Sequence, residues 1–268
     1  MESVDTSWRE DLADAEPSGV EAALRRGASA VPGLKEIACS GAPGAAPWLA
    51  LSTLGEMPGD EAEQALFDIA AVGDEGPARL ALVELGPRLE SDRVGRILAL
   101  LERRLEPPVR VVLYELAVRL DAPLEHVRAS WEEHAPETDE EARAALLALH
   151  LLGDDAALAP LLEALDAMRP ADAGEPLELV RVRPPEAPAA RLLAHLLADA
   201  RLVDGPPPED LGLDLGPGLR VCDLAASCAV ELFGDADAIP EMRRYDDAER
   251  EVLLVDLQST WTDAGRDP

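Results

Sequence analysis

The segment Ala78-Arg-Leu-Ala-Leu-Val-Glu-Leu-Gly-Pro-Arg-Leu89 decides the fold of this chain. Its apolar residues recur at intervals of three and four, which is the period of one face of an α-helix. The same spacing returns from Val109 to Leu120 and again from Ala142 to Gly153. Three stripes in register predict a helical unit that repeats about every 31 to 33 residues.

Second helices with the same spacing lie between these stripes, at Val94–Leu105 and Leu158–Leu165. A single pair of about 30 residues cannot bury both apolar faces, whereas stacked pairs bury each other. Ala and Leu dominate and aromatic residues are only 3%, so the composition favours helices over strands. The sequence therefore predicts an all-α fold, a right-handed α-α superhelix (solenoid) of about six to seven helix pairs.

Helix starts are marked by capping-box spacings and by prolines near the first turn. First helices are expected near residues 47, 77, 108 and 141, then near Ala187 and Leu219. The capping-box pairs are Ser18 with Glu21, Asp60 with Glu63, Thr138 with Glu141, and Asp246 with Glu249.

The domain prediction has three parts: a flexible acidic arm over 1–17, a solenoid over 18–258, and a tail over 259–268. Trp8 in the arm either docks on the body or a partner, or stays partly exposed, which the acidic setting favours. An irregular insert interrupts the solenoid over 169–218, where Pro and Gly are frequent. Within it, 177–183 reads as an extended loop, with one strand as the alternative.

Two stretches resemble the short HEAT repeat of the phycobilisome-lyase type. The first is Leu152-Gly-Asp-Asp-Ala-Ala-Leu-Ala-Pro-Leu-Leu162, which follows the Ala/Leu helix 141–149, and the second is Phe233-Gly-Asp-Ala-Asp-Ala-Ile-Pro240 after 221–232. The resemblance covers about residues 40 to 258. It implies a HEAT-like solenoid in which Asp and Arg positions form ladders between repeats, and it implies an interaction scaffold more often than an enzyme.

The charge of the chain excludes several classes of function. With 54 acidic and 24 basic residues the formal charge is −30, which repels phosphate backbones, so no nucleic-acid partner is expected. A hydrophobic fraction of 47% excludes a wholly disordered chain. No apolar run is long enough for a membrane span, and the N-terminus lacks a signal-peptide pattern, so we expect a cytoplasmic bacterial protein.

The residues that carry catalysis or bind metals form no recognisable site in the sequence. Cys39, Cys222 and Cys228 lack disulfide or zinc spacing, and the last two read as buried small hydrophobes. His126 and His134 are too far apart on a helix to share an ion. Asp154 and Asp235, with Asp155 and Asp237, read as helix caps in preference to metal ligands. We therefore predict no catalytic residues, no metal and no cofactor.

Four arginines around the insert form a local excess of positive charge in an anionic chain: Arg181, Arg183, Arg191 and Arg201. They either neutralise nearby carboxylates or mark a partner-binding loop for an acidic peptide or small anion.

These observations favour a non-enzymatic protein-protein interaction scaffold with an acidic surface. The expected site is a concave helical face together with the 169–218 loops, to which the negative field steers a partner protein that is basic. An inhibitor or immunity protein that covers a basic toxin or nuclease fits the charge equally well. A bilin-lyase-like HEAT enzyme is the third alternative, but it needs a pocket with convergent polar groups.

Overall fold

The computed structural model describes residues 7–42, 44–72, 74–203, 218–234 and 243–264, with side chains to residue 260. These stretches are all-α, and their only extended pairing is one antiparallel bridge between Leu202 and Arg220. The α-helices are α1 Ser7–Ala13, α2 Pro17–Arg26, α3 Val31–Ala38, α4 Ala46–Glu56, α5 Asp60–Val72, α6 Glu75–Leu85, α7 Val94–Leu101, α8 Pro107–Arg119, α9 Leu124–Glu133, α10 Asp139–Leu151, α11 Leu158–Ala167, α12 Gly174–Arg181, α13 Ala187–Leu196, α14 Val221–Phe233 and α15 Asp247–Ala264.

The three predicted apolar stripes lie on α6, α8 and α10. In α6 the stripe from Ala78 to Leu85 is buried, and in α8 the stripe from Val109 to Leu116 is buried. In α10 Ala145, Leu146 and Leu149 are buried. Because the periodicity is a local property, it placed the first-helix starts within about two residues of the observed ones.

The chain divides into two compact units, Met1–Leu116 and Ala117–Pro268. In the first unit consecutive helices pack against each other, and so do alternate ones: α2 contacts α4, α4 contacts α6, and α3 contacts α5. In the second unit α10 contacts α12, α12 contacts α14, and α13 contacts α15. Each unit therefore buries its apolar stripes through sequential neighbours.

The predicted flexible arm is wrong for residues 7–17, because α1 is docked within the first unit. Trp8 is only 4% exposed and Leu12 is fully buried. Helix α1 approaches α2 so closely that a Cβ on Gly19 would lie 2.4 Å from the Leu12 backbone nitrogen, so glycine is required there. Arg9 contributes an ion pair to Glu36 at 3.1 Å. The apolar pair Trp8 and Leu12, one helical turn apart, outweighs the acidic composition.

The predicted irregular insert is also corrected. Gly174–Arg181 forms α12 and not an extended loop or strand, because Leu177 and Val180 are buried on one helical face. The predicted helix at Ala187 is confirmed as α13. Residues 204–217, which hold most of the second Pro/Gly-rich stretch, lie outside the described part. At the C-terminal end, α15 continues to Ala264, so the predicted tail is helical over its first residues.

One predicted capping box is confirmed, that of Asp246 with Glu249, whereas at Thr138 only the side-chain cap is present, because the Glu141 carboxylate accepts from the Glu137 N–H. The backbone N–H of Glu141 donates to Thr138 Oγ1 at 3.1 Å. The N–H of Glu249 donates to Asp246 Oδ1, and the N–H of Asp246 donates to Glu249 Oε2, both at 2.8 Å. Ser18 is different: α2 begins at Pro17, and the Ser18 hydroxyl donates to the Asp11 carboxylate at 3.2 Å.

Candidate partner-binding surface

The first two arginines of the predicted binding loop lie at the end of α12 and just after it. Arg181 pairs with Glu178 and, at 2.9 Å, with Glu231 of α14. Arg183 pairs with Asp121 at 2.6 Å and donates to the Val118 carbonyl at 3.4 Å. Both guanidinium groups therefore already have carboxylate partners in this chain.

The other two arginines are engaged in the same way. Arg191 on α13 pairs with Asp155 at 2.6 Å. Arg201 donates through Nε and Nη2 to Asp199, and its Nη atoms also reach backbone carbonyls at the C-terminal end of α11, those of Leu165, Asp166 and Met168. Burial alone would raise the pKa of Asp199, but the hydrogen bonds from Arg201 outweigh it and hold that pKa below its ordinary value.

The four arginines thus contact different elements and do not converge on one ligand position. Their partners lie on α14, after α8, after α10 and at the end of α11. These contacts are those of the first alternative from the sequence, in which the arginines neutralise nearby carboxylates.

Asp154 has the capping role expected from the Leu-Gly-Asp turn. Its Oδ1 accepts from the Ala156 N–H at 3.0 Å, and its Oδ2 accepts two hydrogen bonds from Arg128 at 3.1 and 2.9 Å. Asp235 and Asp237 lie outside the described residues. In the part of the chain that the structure describes, no group of three His, Cys, Asp or Glu side chains is placed to hold a metal ion.

The buried residues His150, Cys222 and Cys228 are part of the core. His150 is fully buried, and its Nε2 donates to the Pro188 carbonyl at 3.0 Å. Burial lowers the pKa of His150 despite that carbonyl, so the ring is neutral at pH 7. Cys222 and Cys228 are buried as predicted, and burial raises the pKa of Cys228 to about 12, which makes it a poor nucleophile.

Sequence reasoning missed a buried network at the start of α14. Asp223 is 1% exposed and accepts from the Arg220 guanidinium at 3.0 and 2.9 Å and from the backbone N–H groups of Arg220 and Tyr245 at 2.9 and 3.0 Å. Burial would raise the pKa of Asp223, but these hydrogen bonds outweigh it and lower the pKa. Arg220 also donates to the Tyr245 carbonyl at 2.8 Å, which ties the segment before α15 to α14. The spacing of three residues between Arg220 and Asp223 was the available signal.

One surface in the second unit has the geometry of a docking site, and we call it the acidic groove. It is a cavity of about 420 Å³ between the first turns of α10 and the C-terminal end of α11, continuing to the 3₁₀ turn before α12. Small side chains and Met168 form its apolar part. Its lining is Asp139, Glu140, Ala142, Arg143, Ala164, Ala167, Met168, Arg169 and Asp172.

The charges in the acidic groove do not cancel. Arg169 is neutralised by two 2.9 Å hydrogen bonds to Asp172, and Arg143 lies 3.9 Å from Glu175. Asp139 and Glu140 are exposed and form no ion pair within the described part of the chain. Both residues belong to the lining of the groove, and the charge of Glu140 also acts on Arg169.

The comparisons with known proteins supply no relative. No protein-family model matches the chain, and neither a curated protein nor a solved structure matches it. Among the described helices, none is both long and apolar enough to span a bilayer.

Proposed function

We propose that this chain is a non-enzymatic protein-protein interaction module that binds a basic segment of a partner protein at the acidic groove. The observation that carries the proposal is that the basic side chains are largely paired within the chain while acidic residues are in large excess. Most described arginines contact a carboxylate or a carbonyl of the chain itself, as in the pairs of Arg183, Arg191 and Arg201. The 24 basic residues are too few to neutralise the 54 acidic ones, which leaves the net charge of −30. A protein with such a field attracts and orients cationic partners.

We further infer that the helices form a right-handed HEAT-like solenoid. Alternate helices contact each other in each unit, as successive repeats of a solenoid do. Polar side chains also link positions about one repeat apart: Lys35 with Asp68 and Arg96 with Glu63 are both separated by 33 residues. Arg88 donates to the Leu54 carbonyl, 34 residues away. Links that recur at this separation support a stack of repeated helix pairs.

Peptide binding tests the proposed function directly. The probe is an acetylated 18-residue Ala/Arg helical peptide with six arginines, with an Ala/Glu peptide of the same design as the control. Fluorescence anisotropy at about 50 and 300 mM salt is expected to show binding of the Arg peptide only, weakening as salt rises. Failure of the Arg peptide to bind at low salt would overturn the proposal.

Matched charge variants locate the site. The double variant Asp139→Asn/Glu140→Gln removes two charges from the acidic groove, and Glu56→Gln/Glu61→Gln removes two exposed charges from the first unit. We expect the groove variant to bind the Arg peptide about fivefold more weakly, because two partly exposed charge pairs are lost. The control variant should change the affinity less than about twofold. Equal weakening by both variants would show that only net charge matters and would refute the groove as the site.

Small-angle scattering tests the solenoid. A stack of sequential helix pairs is more elongated than a globule of the same length, whose radius of gyration is about 18 Å. A compact profile at that radius would contradict the solenoid without bearing on the groove.

A further inference from the structure

A second cavity lies in the first unit, where the end of α3, the start of α4 and the start of α6 meet. Its volume is about 160 Å³. Its walls are apolar apart from one carboxylate, and we call it the Trp48 pocket. Its lining includes Ala38, Pro47, Trp48, Leu51, Asp74 and Pro77.

Trp48 is the unusual wall of this pocket, because its side chain is left 50% exposed beside a cavity. The ring lies over Gly76, where an added Cβ would be 3.8 Å from the ring edge. A single exposed apolar residue is ordinary on a protein surface. An exposed indole that forms the wall of a concave apolar site is, by contrast, typical of the anchor positions of protein interfaces.

Asp74 is the only charged residue of the lining, and the fold does not use its carboxylate. Asp74 occupies the N-cap position of α6 with extended backbone angles, yet its side chain makes no capping hydrogen bond. Within the residues that the structure describes it forms no ion pair either. A carboxylate beside an aromatic face offers a cation both a charge partner and a π surface.

The size of the pocket limits its occupant to one side chain. A cavity of about 150 Å³ holds a benzene molecule, so 160 Å³ accommodates one large aliphatic or aromatic group. The net charge of the chain indicates which kind of partner carries this side chain. A second copy of this chain has a net charge of −30 and is repelled, whereas a basic segment is attracted.

We propose that the Trp48 pocket binds one apolar side chain of a basic partner segment, with a neighbouring Arg or Lys of that segment paired to Asp74 and stacked on Trp48. The inference rests on the proposed function for the basic character of the partner. It adds sequence specificity, because the acidic groove by itself distinguishes partners only by charge.

Three short peptides test the anchor. They are Ac-Gly-Arg-Leu-Arg-Gly-amide, the same peptide with Ser in place of Leu, and the same peptide with Glu in place of both Arg. The readout is the NMR signal of the Trp48 indole N–H, assigned by its absence in Trp48→Phe. We expect a saturable shift with the first peptide, and binding weaker by about tenfold or more with the Ser peptide, since a buried leucine side chain is lost. The Glu peptide should give no shift.

Variants of the full chain separate the two parts of the site. Trp48→Ala and Asp74→Asn are each expected to lower the affinity for the Arg-Leu-Arg peptide at least about fivefold. The control is Val83→Ala on α6, which removes another exposed apolar side chain, 49% exposed, outside the pocket lining. Equal affinity for the Leu and Ser peptides, or an effect of Val83→Ala as large as that of Trp48→Ala, would overturn the anchor.

The two proposals fail in different ways. If the helical Arg peptide binds the chain while the Trp48 signal stays unchanged with all three short peptides, the anchor is refuted and the proposed function stands. If neither the helical nor the short Arg peptides bind at low salt, the proposed function is refuted and the anchor with it.

Discussion

Asp223 and Asp139 both lie in the first turn of a helix in the second unit, but their surroundings are opposite. Asp223 in α14 is buried and accepts hydrogen bonds from Arg220 and from two backbone N–H groups. Asp139 in α10 is exposed and makes no ion pair in the described residues. The helix N-terminus favours an acidic residue in either case. The difference teaches that a carboxylate in a first helical turn is buried where a guanidinium and backbone N–H groups donate to it, and stays exposed where they do not.

The strongest test of this contrast is Asp223→Ala. Removing the carboxylate leaves the Arg220 guanidinium and the Tyr245 N–H without their acceptor, and we expect a loss of about 3 kcal/mol in the free energy of unfolding. Urea denaturation followed by circular dichroism measures it. Asp139→Ala is the matched control, with an expected change of about 0.5 kcal/mol or less. Equal losses for the two variants would break the comparison.

Two adjacent residues of α10 allow a finer test. Glu141 is 2% exposed and accepts from the Glu137 N–H at 2.8 Å, whereas Glu140 is exposed at the acidic groove. We expect Glu141→Ala to cost about 2 kcal/mol of unfolding free energy, because a buried charged acceptor is lost, and Glu140→Ala to cost about 0.5 kcal/mol or less. A larger cost for Glu140→Ala would show that the groove carboxylate is structural.

Acid titration sharpens the same contrast. The pKa of Asp223 is lowered from its ordinary value of 3.8, so its contribution to stability is present above that value and is lost as the pH falls through the lower, folded-state pKa. Between about pH 5 and pH 2 the free energy of unfolding should therefore decrease less steeply with falling pH for Asp223→Asn than for the unchanged chain. A curve for Asp223→Asn as steep as that of the unchanged chain would contradict the assignment.

His150 extends the comparison to a buried base, with the smallest expected effect. Its pKa is lowered from 6.5, so the unfolded chain takes up this proton first, and the stability from the neutral ring decreases as the pH falls below that value. Between about pH 7.5 and pH 5, His150→Gln should lose less unfolding free energy than the unchanged chain. A steeper loss in His150→Gln would show that burial does not govern this histidine.

The helices that carry the three apolar stripes could be read from local periodicity, and the failures occurred where a segment had too few apolar residues to show a helical period. α6, α8 and α10 were predicted because each stripe spans three turns, which identifies a helix without reference to the rest of the chain. α1 was missed because Trp8 and Leu12 provide one turn of apolar residues in an acidic stretch. α12 was missed because Leu177, Leu179 and Val180 fit an alternating pattern and a helical pattern equally well, and packing against α10 and α14 selects the helix.

The sequence by itself determined the all-helical class, the starts of the first helices, the helix caps at Thr138 and Asp246, and the excess of negative charge. Each of these depends on composition or on residues within a few turns of each other. Only the tertiary structure decided which carboxylates pair with arginines and which remain exposed. It also decided that Trp8 is buried while Trp48 forms the wall of a pocket. The physical reason is that burial and ion pairing depend on contacts between residues far apart in the chain, about which local periodicity carries no information.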